Sequence, residues 1–193
     1  MDRIILASAS PRRQELLKQI GLIFEVIPSA IEENIDPNLS PEAVVQEFAH
    51  SKAADVADRL AESSVVIGAD TIVVHRGRIL GKPKDDDEAY KMLKLLEGDE
   101  HDVITGYTVI RTSDGKRITG FEKTLVKFGR LADHEIRSYV ATGEPRDKAG
   151  AYGIQGMGCL LVEKIVGDYF NIVGLPLGKL GAILSREFNI EIL

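Results

Sequence analysis

The chain has 193 residues, 44% hydrophobic and 28% charged, with a formal net charge of −6 and a single cysteine. A chain of this size and balance buries a globular core without staples, and the lone Cys159 rules out an internal disulfide and suits a reducing compartment. The acidic balance argues against broad nucleic-acid binding, no apolar run approaches the ~20 residues of a membrane span, and the opening residues lack a signal-peptide pattern, so the expectation is a cytoplasmic protein with neither nucleic acid nor membrane as partner.

In chain order, residues 3–7 predict a strand and 11–20 a helix, with Ser10 as N-cap, Pro11 as first helical residue and Gly21 as the stop. A short strand follows at Phe24–Ile27, then a polar, proline-marked loop over 28–40. Ser40-Pro41 opens a second helix running to about Leu60. "SSVVIGADTIVVHRGRILGKP" reads as a buried strand, a break at Gly68, then a strand and a hairpin. "DDDEAYKMLKLLEG" is a helix whose acidic start matches its dipole. Residues 102–111 and 117–128 are strands joined by the turn "SDGK", and "DHEIRSYVATG" is a short helix. A glycine-rich stretch, "EPRDKAGAYGIQGMG", precedes a strand at Leu160–Val166 with Cys159 buried beside it. A last helix spans Leu175 to about Arg186, and "IEIL" forms a terminal strand. The mixture predicts one α/β domain over 1–193 with a mixed sheet in two lobes.

Five places carry candidate chemistry. Arg12 and Arg13 lie in the first helical turn, where a cation without compensation costs ~0.3–1 kcal/mol. Either they splay into solvent and pair with nearby acids, or a bound anion meets them together with Ser8, Ser10 and the free backbone N–H groups. At about 100° per residue, Lys52 falls inside the apolar arc of Val44, Val45, Phe48, Val56 and Leu60. It either snorkels outward or points into a polar pocket. Asp70 and Thr71 interrupt an apolar run, and a carboxylate there needs pairing, hydrogen bonds or metal. It either caps a turn or stands at a strand end where open α/β sheets bind ligands. Lys82 in "GKP" sits in a sequence that mimics a phosphate loop but carries Pro83 where a Ser or Thr would hold magnesium. The glycine-rich stretch does not spell the dinucleotide fingerprint, yet Gln155 in it offers a donor and an acceptor to a base edge. The four histidines show no zinc spacing.

The ordered set "SASPRR", "HSKAADVA", "GADT", "GKP", "GEPRDKAGAYGIQG" and "VGLPL" resembles the Maf family of nucleoside triphosphate pyrophosphatases over nearly the whole chain. The resemblance implies an α/β fold related to that of inosine triphosphate pyrophosphatase. Its elongated mixed sheet has flanking helices, and two lobes surround a central nucleotide cleft. It implies hydrolysis of a nucleoside triphosphate to monophosphate and pyrophosphate. Ser8, Ser10, Arg12 and Arg13 match the family's phosphate-binding loop. Glu33 (by register rather than Glu32), Lys52, Asp70 and Lys82 match its catalytic positions, with Asp70 at the place of the proton acceptor.

The family's dTTP/UTP branch carries Arg, Thr and Gln where this chain has Arg12, Thr71 and Gln155. The 7-methyl-GTP branch carries Trp, Gln and Glu. The resemblance therefore implies a pyrimidine nucleotide substrate and a homodimer. It also implies a divalent cation, Mg2+ or in its place Mn2+ or Co2+, held by Asp70 and Glu33. Two other readings stand beside it: a regulatory nucleotide-binding protein affecting septum formation, and a pyrophosphatase for non-canonical purine triphosphates.

Overall fold

The apolar run at Ser64–His75 forms one unbroken strand of 12 residues, buried along almost its whole length. Gly68 does not break it. A Cβ at Gly68 would lie 2.3 Å from the Ala49 carbonyl oxygen and 2.8 Å from the Ala53 nitrogen. The glycine lets a helix backbone press directly on the strand, which is why it reads as a breaker but acts as a seat.

The structure, a computed structural model, describes residues 2–32 and 34–193. The elements are β1 (Arg3–Leu6), α1 (Pro11–Gln19), β2 (Glu25–Val26), α2 (Pro41–Ala57), β3 (Ser64–His75), β4 (Arg78–Leu80), α3 (Asp86–Leu96), β5 (Glu100–Arg111), β6 (Arg117–Phe128), α4 (Asp133–Ala141), β7 (Val162–Val166), α5 (Tyr169–Val173) and α6 (Leu177–Phe188). Short 3-10 helices occupy Glu144–Asp147, Ala149–Ala151 and Gly156–Leu161. The sheet has the order β2-β1-β3-β5-β6-β7, with β4 paired to β3. It is mixed: β1 pairs in parallel with β2 and β3, whereas β3–β4 and β6–β7 are antiparallel. This is the expected α/β class with flanking helices.

Helix starts follow local chemistry. Ser40 Oγ accepts from the Ala43 N–H at 3.2 Å, and the Asp85 carboxylate accepts from the Glu88 N–H at 2.8 Å; both satisfy an orphan donor of the first turn. Ser10 precedes α1 as expected but makes no side-chain cap.

The chain divides into two compact units. The first comprises Met1–Asp70, Thr105–Glu122 and Gly174–Leu193. Its core includes Ile5, Ala7, Ala53, Val56 and Val66. The second comprises Thr71–Ile104 and Lys123–Val173, with a core built from Val73, Leu93, Leu96, Phe128, Ile136, Tyr152 and their neighbours.

Three expectations are corrected. The last residues, "IEIL", form no strand; after Asn189, in the left-handed region at φ 56°, they simply continue from the α6 C-terminus. Cys159 is exposed, not buried. The 3-10 helix at Gly156–Leu161 turns Gly158 and Leu161 inward, so the apolar run is not the strand start it resembles. β7 accordingly begins at Val162 rather than Leu160. The short helix α5 had no distinct signal in the sequence.

Candidate active site

In the first unit, β1 and β3 run parallel side by side, and the candidate residues lie just past the end of β1 and midway along β3. Leu6 of β1 is level with Ile67 of β3, and the Ala7 N–H continues the ladder to the Ile67 carbonyl at 2.8 Å. Ser8 stands one residue beyond Ala7, and Asp70 three beyond Ile67. Asp70 therefore neither caps a turn nor ends a strand, as either sequence reading had it: β3 runs on through Thr71 to His75.

Strand alternation puts Val66, Gly68 and Asp70 on one face of β3. That face meets α2: Val66 packs with Ala53 and Val56, and Gly68 lies under Ala49 and Ala53. On β5, Gly106 does the same for the N-terminal half of α2, since a Cβ there would lie 2.1 Å from the Val45 carbonyl oxygen. Seated on two glycines, α2 brings Lys52 over Asp70. Lys52 Nζ donates to Asp70 Oδ1 at 2.6 Å, with the two side chains only 13% and 9% exposed. Lys52 therefore does not snorkel. It turns inward from an apolar arc because its partner sits on the strand below. Among the described residues, Asp70 Oδ2 accepts no hydrogen bond.

The two arginines of α1 part company. Arg13 shares the buried face with Leu16 and Leu17, at the i+3 and i+4 spacing of one helical stripe. Its Nε donates to the Gly174 carbonyl at 2.9 Å and its Nη1 to Ser8 Oγ at 3.2 Å. Arg12, one residue round the helix, is half-buried. Ser8 Oγ also accepts from the Ser10 N–H at 3.2 Å. A hydroxyl that accepts twice keeps its own proton for donation, so Ser8 is set up as a donor. The brace to Gly174 is a link that sequence reading missed, although "VGLPL" was among the motifs.

In the second unit, Thr71 follows Asp70 on β3 and is half-buried, while Lys82 is exposed after β4. The Gly81 carbonyl accepts from the Gly150 N–H at 3.0 Å, tying the "GKP" segment to the glycine-rich stretch. Gln155 precedes the 3-10 helix at Gly156–Leu161 and is half-buried. Its amide makes no hydrogen bond among the described residues. Glu33 lies outside the described residues.

A family model described as Maf-like protein matches residues 3–187. The chain belongs to the Maf family. A protein of Alkaliphilus oremlandii named dTTP/UTP pyrophosphatase is 56% identical over 193 residues, covering 100% of both chains. One of the same name from Bacillus pumilus is 52% identical over 185 residues, covering 96% of each. Among solved structures, the Ham1 protein of Staphylococcus aureus aligns at 18% identity over 68% of this chain and 73% of that one, with a TM-score of 0.47.

In this Maf chain the described residues contain no group of three or more His, Cys, Asp or Glu that could hold a metal ion. The donor set at Asp70 is one carboxylate shared with a lysine. That fits a hard divalent cation held by one or two carboxylates together with phosphate oxygens and waters, and not an all-protein cage. No helix of the described residues is long and apolar enough to cross a membrane.

Proposed function

We propose that this Maf protein hydrolyses dTTP, UTP and related pyrimidine nucleoside triphosphates to the monophosphate and pyrophosphate, as housekeeping of the nucleotide pool. The observation that carries the proposal is the inward Lys52–Asp70 pair at 2.6 Å, on the strand next to the β1 end that leads to Ser8 and Arg13, in a chain whose full-length relatives bear the name dTTP/UTP pyrophosphatase.

The reaction adds water across the α–β phosphoanhydride. Asp70 takes the water's proton through Oδ2, while Lys52 holds Oδ1 and so fixes the carboxylate plane. Ser8 and Ser10 donate hydroxyl protons to phosphate oxygens. Arg12, Arg13 and Lys82 supply positive charge against a substrate carrying roughly four negative charges. Asp70 and Glu33 would hold a divalent cation, Mg2+ with Mn2+ or Co2+ as substitutes, which would supply further positive charge against the phosphates. Gln155 pairs with the carbonyl and N–H edge common to uracil and thymine; Arg12 and Thr71 are the other specificity positions. The roles of Lys82, Thr71, Gln155 and Glu33 rest on the family motifs.

The proposal includes a single functional domain over 1–193, a homodimer and a cytoplasmic setting. Its test is a panel of nucleoside triphosphates with Mg2+, scored for pyrophosphate release by the wild-type protein and Asp70→Asn. Release from dTTP and UTP that Asp70→Asn nearly abolishes supports the proposal. Hydrolysis of none points to the regulatory binding protein, and hydrolysis of ITP or XTP alone to the purine enzyme.

A further inference from the structure

The carboxylate of Glu144 gathers three donors from the second unit. Its Oε1 accepts from the Tyr139 hydroxyl at 2.9 Å and from the Gly158 N–H at 3.1 Å, and its Oε2 accepts from the Met157 N–H at 3.1 Å. The Tyr139 oxygen in turn accepts from the Gly153 N–H at 3.2 Å. The loop is thus pinned at Gly153 on one side and at Met157 and Gly158 on the other. Gln155 sits midway between the pins.

The loop has no slack at these points. Gly156 is in the left-handed region at φ +69°, and a Cβ there would lie 2.9 Å from Glu144 Oε2. A Cβ at Gly158 would lie 2.0 Å from the Gly153 carbonyl oxygen. Ile154 is buried, which anchors the backbone one residue before Gln155. Glu144 is itself held: its N–H donates to Thr142 Oγ1 at 3.1 Å, and its carbonyl accepts from Lys148 Nζ at 2.6 Å. Burial, and beyond it the Glu144 carboxylate, raises the Tyr139 phenol well above its ordinary range, so Tyr139 stays a donor to Glu144. The single polar side chain inside the pinned span, the Gln155 amide, has no partner of its own among the described residues. A rigid frame around an amide without an internal partner is an arrangement for reading a ligand edge.

We propose that Glu144 is a positioning residue for base recognition: by accepting from Tyr139, Met157 and Gly158 it fixes the loop that presents Gln155 to the pyrimidine edge of the substrate. This rests on the base-reading role of Gln155. Glu144 does not touch the substrate, so its loss blurs base choice without disturbing phosphate binding.

The experiment compares wild type, Glu144→Gln, Tyr139→Phe and Gln155→Ala. Glu144→Gln keeps size but places an amide donor against a backbone N–H donor. Kinetics with UTP and GTP are measured alongside inhibition by tripolyphosphate, which carries no base. The expected result is a rise of tenfold or more in the KM for UTP in Glu144→Gln, with kcat within about threefold. The UTP-over-GTP preference falls at least tenfold, and the inhibition constant of tripolyphosphate does not change. Tyr139→Phe shows the same pattern at smaller amplitude, and decides the matter if Glu144→Gln does not fold. Unchanged base preference in the folded variant, or a tripolyphosphate constant that weakens as much as the UTP KM, overturns the inference. If Gln155→Ala shifts base preference and neither frame variant does, this inference alone falls. If Gln155→Ala leaves preference unchanged, the base-reading role fails and the inference with it.

Discussion

Lys52 Nζ and Asp70 Oδ1 are 2.6 Å apart, on a helix and a strand 18 residues distant in sequence, and both side chains are nearly withdrawn from solvent. Removing one member of such a pair strands the other, at a cost of about 3–5 kcal/mol when burial is complete. Lys52→Met is therefore expected to lower stability by about 3 kcal/mol, the lower end of that range, because of the residual exposure. The double variant Lys52→Met/Asp70→Asn is expected to be more stable than Lys52→Met alone. Urea unfolding of the four proteins checks this, and strict additivity of the two single effects would refute the coupling.

The seat of α2 gives a second expectation. Gly68→Ala puts a methyl 2.3 Å from a backbone oxygen that cannot rotate away, so α2 must shift and carry Lys52 off Asp70. Overpacking of this kind costs about 1–3 kcal/mol. Turnover of UTP should drop more than tenfold. Gly178→Ala, where nothing lies within 4 Å of the added Cβ, should leave turnover intact. Equal turnover in both variants would mean that the glycine seat does not place Lys52.

Arg12 and Arg13 should separate experimentally. Arg13→Lys loses a guanidinium fork that spans the Gly174 carbonyl and Ser8 Oγ, and a lysine point charge does not replace it. The expected loss is about 2 kcal/mol of stability, together with weakened turnover. Arg12→Ala should stay within about 1 kcal/mol of wild type and act on the KM for UTP. Thermal melts and steady-state kinetics on both variants decide whether the roles divide this way.

His101 gives the protein a pH limit. Its Nε2 lies 2.7 Å from the Tyr152 hydroxyl, within a cluster of edge-on rings that includes Phe128. Burial lowers its pKa from 6.5 to about 4, with His75 acting in the same direction and Asp99 against it. The unfolded chain therefore takes up a proton below about pH 6.5 that the folded chain refuses until about pH 4. Stability falls across that window as pH drops, by about 3 kcal/mol in total, and this contribution is flat above pH 6.5. His101→Gln should remove most of that slope. Denaturant titrations from pH 7.5 to 4 test it, and an equal slope in the variant would assign the loss to other groups.

Much of the architecture was legible in residue patterns. The N-terminal strand and helix, the capped helices at Ser40 and Asp85 and the long strands of residues 100–128 follow from periodicity and caps, which act over a few residues. Where the reading failed, a distant backbone decided. Gly68 reads as a breaker only while the helix above it is unknown. "IEIL" has strand composition but forms no strand. Cys159 lies in an apolar run whose 3-10 turn faces it outward.

The sequence by itself determined the family, the α/β class and the set of chemical residues, because motifs and hydrophobic periods are local and ordered along the chain. It left Lys52 between snorkelling and pocket, and told Arg12 from Arg13 only through the family's specificity positions. Tertiary structure alone decided that Lys52 meets Asp70, that Arg13 is braced while Arg12 is half-exposed, and that Glu144 frames Gln155. The physical reason is that periodicity specifies a face, whereas a hydrogen-bond partner depends on how closely two backbones approach. In this chain that approach is set by glycines at 68, 106 and 158, whose missing side chains no local pattern reveals.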